Sequence, residues 1–324
     1  MTDKWPDCGR ILELAADPAR RTRRLSIGKL DFSRPFIPEE FTQLYHSPVY
    51  RTLTREQRLR YNQLFAVRTN EYIMMLESDL VDHFLVPLRR NRAVRADAAL
   101  RACLDTMIAE EREHYQGFLA LNRLCLPQVF RDGRERYFSR LSGGYKLLLW
   151  LLRAGARRLA YPMWYIMALE ESSIGLARAM KKNPRTPTLG PLEPSFMAVH
   201  LEHMKDETRH LHTDRRLISA CIGGAAPFWR RLDAALFKLM IREFTVIRRN
   251  GSGARVIRHL VGEMPELAPR EEELLSALAD LKHDEAYQRS LFSRPLMPLT
   301  FGVFDETEEL AGLERILAGY DRPD

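Results

Sequence analysis

Cysteine is scarce: the 324-residue chain has four, Cys8, Cys103, Cys125 and Cys221, and no two stand at CxxC spacing. That excludes a disulfide framework and a thiolate zinc site, and it fits a reduced cytoplasmic compartment. Long apolar runs are missing too; stretches such as Leu147–Leu152 fall far short of the roughly 20 residues that a bilayer span needs. The N-terminus carries Asp3, Lys4, Asp7 and Arg10 without an apolar core, so neither export nor anchoring is expected. There is no glycine-rich loop of the flavin- or nicotinamide-binding kind, no zinc-finger or RNA-recognition signature, and no internal repeat. No segment alternates polar and apolar residues between hairpin turns, which excludes any substantial sheet.

What is present is an ordinary globular composition, 45% hydrophobic and 29% charged, enough to bury a sizeable core. Lys and Arg number 50 against 43 acids, a formal charge of +7. Basic runs at Arg20-Arg21-Thr22-Arg23-Arg24 and Arg89-Arg90-Asn91-Arg92 keep nucleic acid in view. Most other arginines are interleaved with acids along helix faces, which favours a solvated, ion-paired surface over a nucleic-acid interface.

Prolines and caps divide the chain. Residues 1–50 hold Pro6, Pro18, Pro35, Pro38 and Pro48 with little periodicity and read as an irregular wrapping arm. Thr54 with Gln57 is a capping box that opens a helix running to about Val86. A second helix is expected from about Ala93 to Leu126, a third from Tyr145 to Lys182 with a kink or break at Pro162, and a fourth from Pro194 to Ile222 before Gly223-Gly224. Further helices are expected over 227–249 and 270–292. The fold class is therefore all-α: a long four-helix bundle at 54–222, accessory helices at 226–320 and the arm, forming one domain over 1–324.

In such helices the informative residues are acids and imidazoles where the period demands a hydrophobe, because a buried charge is costly unless paired or metal-bound. At 100° per residue, Glu77 shares the face of Ala66, Ile73, Leu80 and Phe84, and Glu71 falls about 120° away. Glu111 and His114 lie on the stripe of Leu104, Met107 and Phe118, with Glu110 to one side. His203, Glu207 and His210 form an i, i+4, i+7 line that His200 shares. The third segment is apolar nearly all round; Glu170 has the drier neighbours, Met163, Met167 and Ile174, but periodicity does not choose between it and Glu171. Singly each has a bland explanation, since ExxH pairs arise by chance and a lone buried His is usually a hydrogen-bonded core residue. Jointly, a Glu, an ExxH, a Glu and an HxxxExxH, one set per helix, are what holds two metal ions in a bundle core. Carboxylates can bridge two cations and neutralise their charge, and imidazoles suit iron.

Three stretches carry a resemblance to a known family. His203-Met204-Lys205-Asp206-Glu207-Thr208-Arg209-His210 fits the pattern HxxDETxH, and Ala109-Glu110-Glu111-Arg112-Glu113-His114 an acidic ExxH segment. Asn70-Glu71 followed by Glu77 resembles a first metal helix in which the later glutamate is the ligand. Together they resemble the p-aminobenzoate N-oxygenases, ferritin-like di-iron enzymes that oxidise amines to hydroxylamine, nitroso and nitro products. Glu171-Ser172-Ser173-Ile174 is similar to that family's Glu-Thr-Cys-Ile run, sixty residues after Glu111, so the resemblance selects Glu171.

The resemblance implies an O2-dependent di-iron monooxygenase. Its iron ligands would be Glu77, Glu111, His114, Glu171, His203, Glu207 and His210, with Asp206 orienting His114 and Glu110 orienting His210. It further implies two iron ions, O2 as co-substrate, an external electron donor, a small-molecule amine substrate and a homodimer. It departs from the family at the C-terminus: Thr300 to Leu313 is rich in Asp305, Glu306, Glu308 and Glu309 and offers no arginine for a substrate carboxylate. The amine expected is therefore cationic or without a carboxylate. Other oxidations on the same scaffold and non-enzymatic iron binding are the rival expectations.

Overall fold

The structure, a computed structural model, describes residues 5–22, 27–131, 133–140, 143–245 and 247–322. Asp3, Lys4, Arg23 and Arg24, singled out above, lie outside the described residues.

Regular structure begins earlier than the proline count suggests. Asp7 accepts the Arg10 N–H and starts α1 (Cys8–Ala16), whose buried Ile11 and Ala15 stand four apart and face the bundle. The arm is thus not irregular throughout. Its prolines confine the remainder to short 3-10 turns at Pro18–Arg20, Glu39–Phe41, Leu44–His46 and Pro48–Thr52.

Thr54 and Gln57 form the expected capping box at the start of α2 (Arg55–Met75). The helix then widens into a π-helical stretch, Leu76–Leu85, and closes with α3 (Val86–Leu88) around Pro87. Next come α4 (Arg92–Ala96) and α5 (Ala98–Cys125), separate because Asp97 leaves helical geometry and caps the Leu100 N–H. Pro162 divides the third segment into α6 (Gly143–Gly155) and α7 (Pro162–Lys182). A two-residue antiparallel ribbon follows, β1 (Arg185–Thr186) with β2 (Gly190–Pro191), turning through Gly190 at φ +96°. Glu193 caps α8 (Pro194–Ile218) through the Phe196 N–H.

The C-terminal third is α9 (Pro227–Thr245), α10 (Ser252–Glu263), α11 (Glu271–Asp280), α12 (Glu285–Leu291) and α13 (Pro298–Asp305). Two of these, α10 and α13, were not anticipated, and the single helix expected over 270–292 breaks where Asp284 caps Tyr287. The architecture is an all-helical bundle, as expected, in which α2 with its π stretch, α5, α7 and α8 surround the centre. No described helix is long and apolar enough to cross a membrane.

The apolar core is split in two. One cluster joins the π stretch, the first half of α7, α9 and α13 through Leu80, Phe84, Trp164 and Phe237. The other joins the arm, the first half of α2, the second half of α5 and α10 through Phe36, Phe65, Phe118 and Ile257. Between them, at the level of Glu77, His114 and His203, the interior is polar.

Candidate metal centre

Six of the seven ligands expected from the sequence converge in that polar layer. Glu77 enters from the π stretch, Glu111 and His114 from α5, and His203, Glu207 and His210 from α8; each is no more than 4% exposed. The π turn matters because its wider winding shifts which side chains reach the axis, a geometry often found at functional sites. Ligand-type atoms of Glu111, His114, Glu207 and His210 lie within 4.8 Å of one another, as do those of Glu77, His114 and His203. The two groups share His114. Glu207 joins them, its Oε1 standing 3.2 Å from His114 Nδ1, 3.0 Å from His203 Nε2 and 3.4 Å from His210 Nδ1.

Close as they are, these atoms are not hydrogen-bonded to one another. Both oxygens of Glu77, Glu111, Glu170 and Glu207, with His114 Nδ1, His203 Nε2 and His210 Nδ1, are buried without a hydrogen-bond partner among the described residues. Buried polar atoms are almost always satisfied, and an orphan costs roughly 1–3 kcal/mol. So many, aimed at one space from four helices, fit cations: carboxylate oxygens and imidazole nitrogens are hard-to-borderline donors suited to first-row metals.

The far nitrogens are firmly held. Asp206 Oδ2 lies 3.0 Å from His114 Nε2, and Glu110 Oε2 lies 2.9 Å from His210 Nε2, the partners expected for each ring. Such contacts fix the ring so that its other nitrogen faces the metal. A residue not anticipated, Arg209, ties the two together, donating to Glu110 Oε1 at 2.6 Å and Asp206 Oδ1 at 2.9 Å. The arm closes this side, with the Thr22 N–H donating to Asp206.

Glu171, the third-helix ligand taken from the resemblance, is a correction. Its carboxylate accepts the N–H groups of Leu299 at 2.9 Å and Thr300 at 2.6 Å and so caps α13. Glu170, one residue earlier, faces inward instead, fully buried opposite Asp214, Glu207 and His210. The neighbours on its face, Met163, Met167 and Ile174, had pointed that way. Glu71 is likewise occupied elsewhere, accepting the N–H groups of Tyr137, Phe138 and Ser139. His200 Nε2 lies 3.1 Å from Asn70 Oδ1, and its ring packs on Phe118 and Phe196.

Asp214 escaped the sequence reading although it stands four residues after His210, on the same line of α8. It is fully buried with both oxygens unpartnered and faces Glu170.

Without metal the cluster balances its charge with protons. Burial raises the Glu77 carboxyl to about 7 and Asp214 to about 8, and it raises Glu170 well above the usual range, with Asp214 adding repulsion. Burial alone would lower the imidazoles; Asp206 and Glu207 outweigh it to hold His114 at about 10, and Glu207 holds His203 at about 9. Glu207 stays ionised, well below the usual range, because His203 and His210 outweigh its burial. His200 lacks a carboxylate neighbour, and burial lowers it to about 3. Metal would replace the protons on the facing nitrogens.

A cavity of about 1350 Å³ reaches the cluster at His203 and Glu207 and runs outward between α2, α6, α7, α9 and the C-terminal segment. Near the cluster its walls are mostly apolar, with Ile73, Leu169 and Tyr165 among them.

The fold and site define a class: an all-helical bundle protein whose buried carboxylates and imidazoles could hold metal ions. No family model matches the chain, and no curated protein matches it.

Asp206→Asn removes the anion behind His114 while keeping its shape. The expected result is metal binding weakened roughly 10- to 100-fold, the usual cost of losing such a partner, read by chelator competition. Unchanged affinity would leave Asp206 as a structural partner of Arg209 alone.

Proposed function

We propose that the protein is an O2-dependent di-iron monooxygenase that transfers oxygen to an amine nitrogen. The observation that supports this best is the convergence of unpartnered carboxylates and imidazoles, contributed by every helix of the bundle, at the inner end of an apolar cavity. The resemblance to the p-aminobenzoate N-oxygenases supports the choice of iron, O2 and an amine.

Glu77, Glu111, Glu170, Glu207, His114, His203 and His210 would hold the two irons. Bound there, the irons supply the redox chemistry of O2 that no side chain can perform, using electrons from an external donor. Everything else falls to the chain. Four carboxylates offset the +4 of two ferrous ions, so the loaded interior is neutral before the imidazoles are counted. Glu207, whose Oε1 stands within 3.4 Å of the facing nitrogens of His114, His203 and His210, would be a ligand close to both groups. Asp206 and Glu110, braced by Arg209, fix the imidazole orientations and hold the proton on each outer nitrogen. The apolar walls exclude water and leave the amine uncharged near the cluster, where its lone pair can react.

The test is anaerobic loading with Fe(II), followed by O2 in the presence of arylamines and alkylamines. Two irons per chain, O2 uptake and an ¹⁸O-labelled nitrogen in the product are the expected results. Labelled oxygen on carbon would make the protein a hydroxylase on the same scaffold, and iron oxidised without organic product would make it an iron-binding protein.

A further inference from the structure

The cavity has a second polar end. Away from the metal cluster its wall carries five arginines: Arg68 of α2, Arg140 from the segment before α6, Arg178 of α7, Arg248 from the segment before α10 and Arg255 of α10. Two acids share the wall, Glu207 at the inner end and the exposed Glu40 at the rim. Arg68, Arg140, Arg178 and Arg255 form no ion pair with a carboxylate among the described residues, whereas Arg60, Arg89, Arg136 and Arg209 elsewhere each do.

Three of them are fixed. Arg68 lies over the rings of Phe65 and Tyr72 and donates from Nε to Ser252 Oγ at 2.9 Å. Arg255 donates to the carbonyls of Phe138 and Asn250. Arg140 lies over the Tyr137 ring, in the segment that Glu71 anchors through three N–H groups, which gives that buried acid a positioning role. Burial lowers the Arg255 pKa and the charge of Arg140 lowers it further; Glu71 opposes this in part, and Arg68 adds to the lowering. The first turn of α10 adds to the field, since no side chain caps it and its N-terminal end carries partial positive charge. The nearby acids Glu71 and Glu171 are engaged by backbone N–H groups, and like charges gathered on a cavity wall with no carboxylate paired to them are what an anion-binding site presents.

The helices give the spacing. Arg68 precedes Glu77 by nine residues and Arg178 follows Glu170 by eight, so at 1.5 Å per residue both arginines lie roughly 12–14 Å along the bundle from the cluster. Between them the wall is mostly apolar, with Ile73, Leu76, Leu176 and Leu296. A single aromatic ring does not span that distance.

We propose that the cavity takes an elongated amphipathic anion, a carboxylate or phosphate ester held by Arg68, Arg140 and Arg255 whose apolar body runs inward to present the oxidisable nitrogen at the metal cluster. The assignment of the inner end rests on the di-iron reading; the anion site does not. It reverses the expectation of an amine without a carboxylate. That expectation rested on the lack of an arginine in Thr300 to Leu313, whereas the structure gathers Arg68, Arg140 and Arg255 from three distant parts of the chain.

The experiment is calorimetric titration of the full-length protein, metal-free and Zn(II)-loaded. The probes are 12-aminododecanoate, dodecyl phosphate, dodecylamine and 4-aminobenzoate. The expected result is that one or both long anions bind at least tenfold tighter than dodecylamine and 4-aminobenzoate; which of the two is preferred assigns the head group. Arg140→Ala, an exposed substitution that leaves the core intact, should remove much of that margin, and Arg68→Ala/Arg255→Ala nearly all of it. Arg123→Ala, exposed on α5 and outside the cavity, should leave it unchanged. No advantage for the anions, or an advantage that survives the Arg140 and double variants, would overturn the proposal. Binding of a long anion that the Fe(II)-loaded protein then fails to oxidise under O2 would instead count against the monooxygenase reading and leave the anion site standing.

Discussion

Glu170→Ala is expected to lower the metal content of the protein by about one ion per chain, and Glu171→Ala to leave it unchanged. The two residues are neighbours in sequence with opposite surroundings. Glu170 is buried with both oxygens unpartnered, facing Asp214, Glu207 and His210. Removing it takes away a ligand and its contact with Asp214, but it strands no backbone donor. The metal-free variant should therefore melt close to the parent and above the Glu171 variant. Glu171 accepts two N–H groups at the start of α13, a helix without another side-chain cap. Its loss strands those donors beside the cavity wall, at roughly 1–3 kcal/mol, so this variant should melt lower while keeping its metal. Metal analysis after anaerobic loading, with melting curves of the metal-free proteins, separates the cases. A Glu171 variant that loses metal while the Glu170 variant retains it would reverse the assignment.

That pair also marks where the sequence stops being legible. Helical periodicity put Glu77, Glu111 and His114 on stripes shared with hydrophobes and put His203, Glu207 and His210 on one line of their helix, and the structure brings all six together. In α7 the same argument is weak, since a helix buried nearly all round has no polar face to contrast with. There Met163, Met167 and Ile174 favoured Glu170, and matching a family run overrode them. Asp214 is hidden for a related reason: on a line of α8 already occupied by His203, Glu207 and His210, one more acid does not stand out from its neighbours. Local signals read well where the chemistry is local, as in the Thr54–Gln57 capping box and the break before Pro162. The π stretch around Glu77, the contact of Glu171 with α13 and the bridge from Arg209 to Glu110 and Asp206 depend on elements far apart in the chain, and no window of sequence contains them.

Metal should invert the response of stability to pH. In the metal-free protein His114 and His203 release their protons at about 10 and about 9, whereas an unfolded imidazole does so near 6.5. Between those values the folded state holds more protons, so the stabilisation from these rings is complete below roughly pH 6.5 and is lost as pH rises through 9 to 10. Glu77 at about 7 and Asp214 at about 8 act in the same sense, their contributions fading as pH climbs from the ordinary carboxylate range. The depressed carboxylates, Glu110, Asp206 and Glu207, act oppositely, but their stabilisation is already complete above about pH 5 and does not vary in this window. The metal-free melting temperature should therefore fall from pH 6 to pH 9.5. Metal competes with protons for His114 Nδ1, His203 Nε2 and His210 Nδ1, so its affinity rises over the same interval. At a free concentration a thousand times Kd each ion adds about 4 kcal/mol. Melting curves at fixed free Mn(II) under argon should consequently show a gap over the metal-free protein that widens with pH. A gap that stays constant or narrows would mean that these imidazoles do not give up protons to metal, and the cluster would then be a charge network rather than a metal centre.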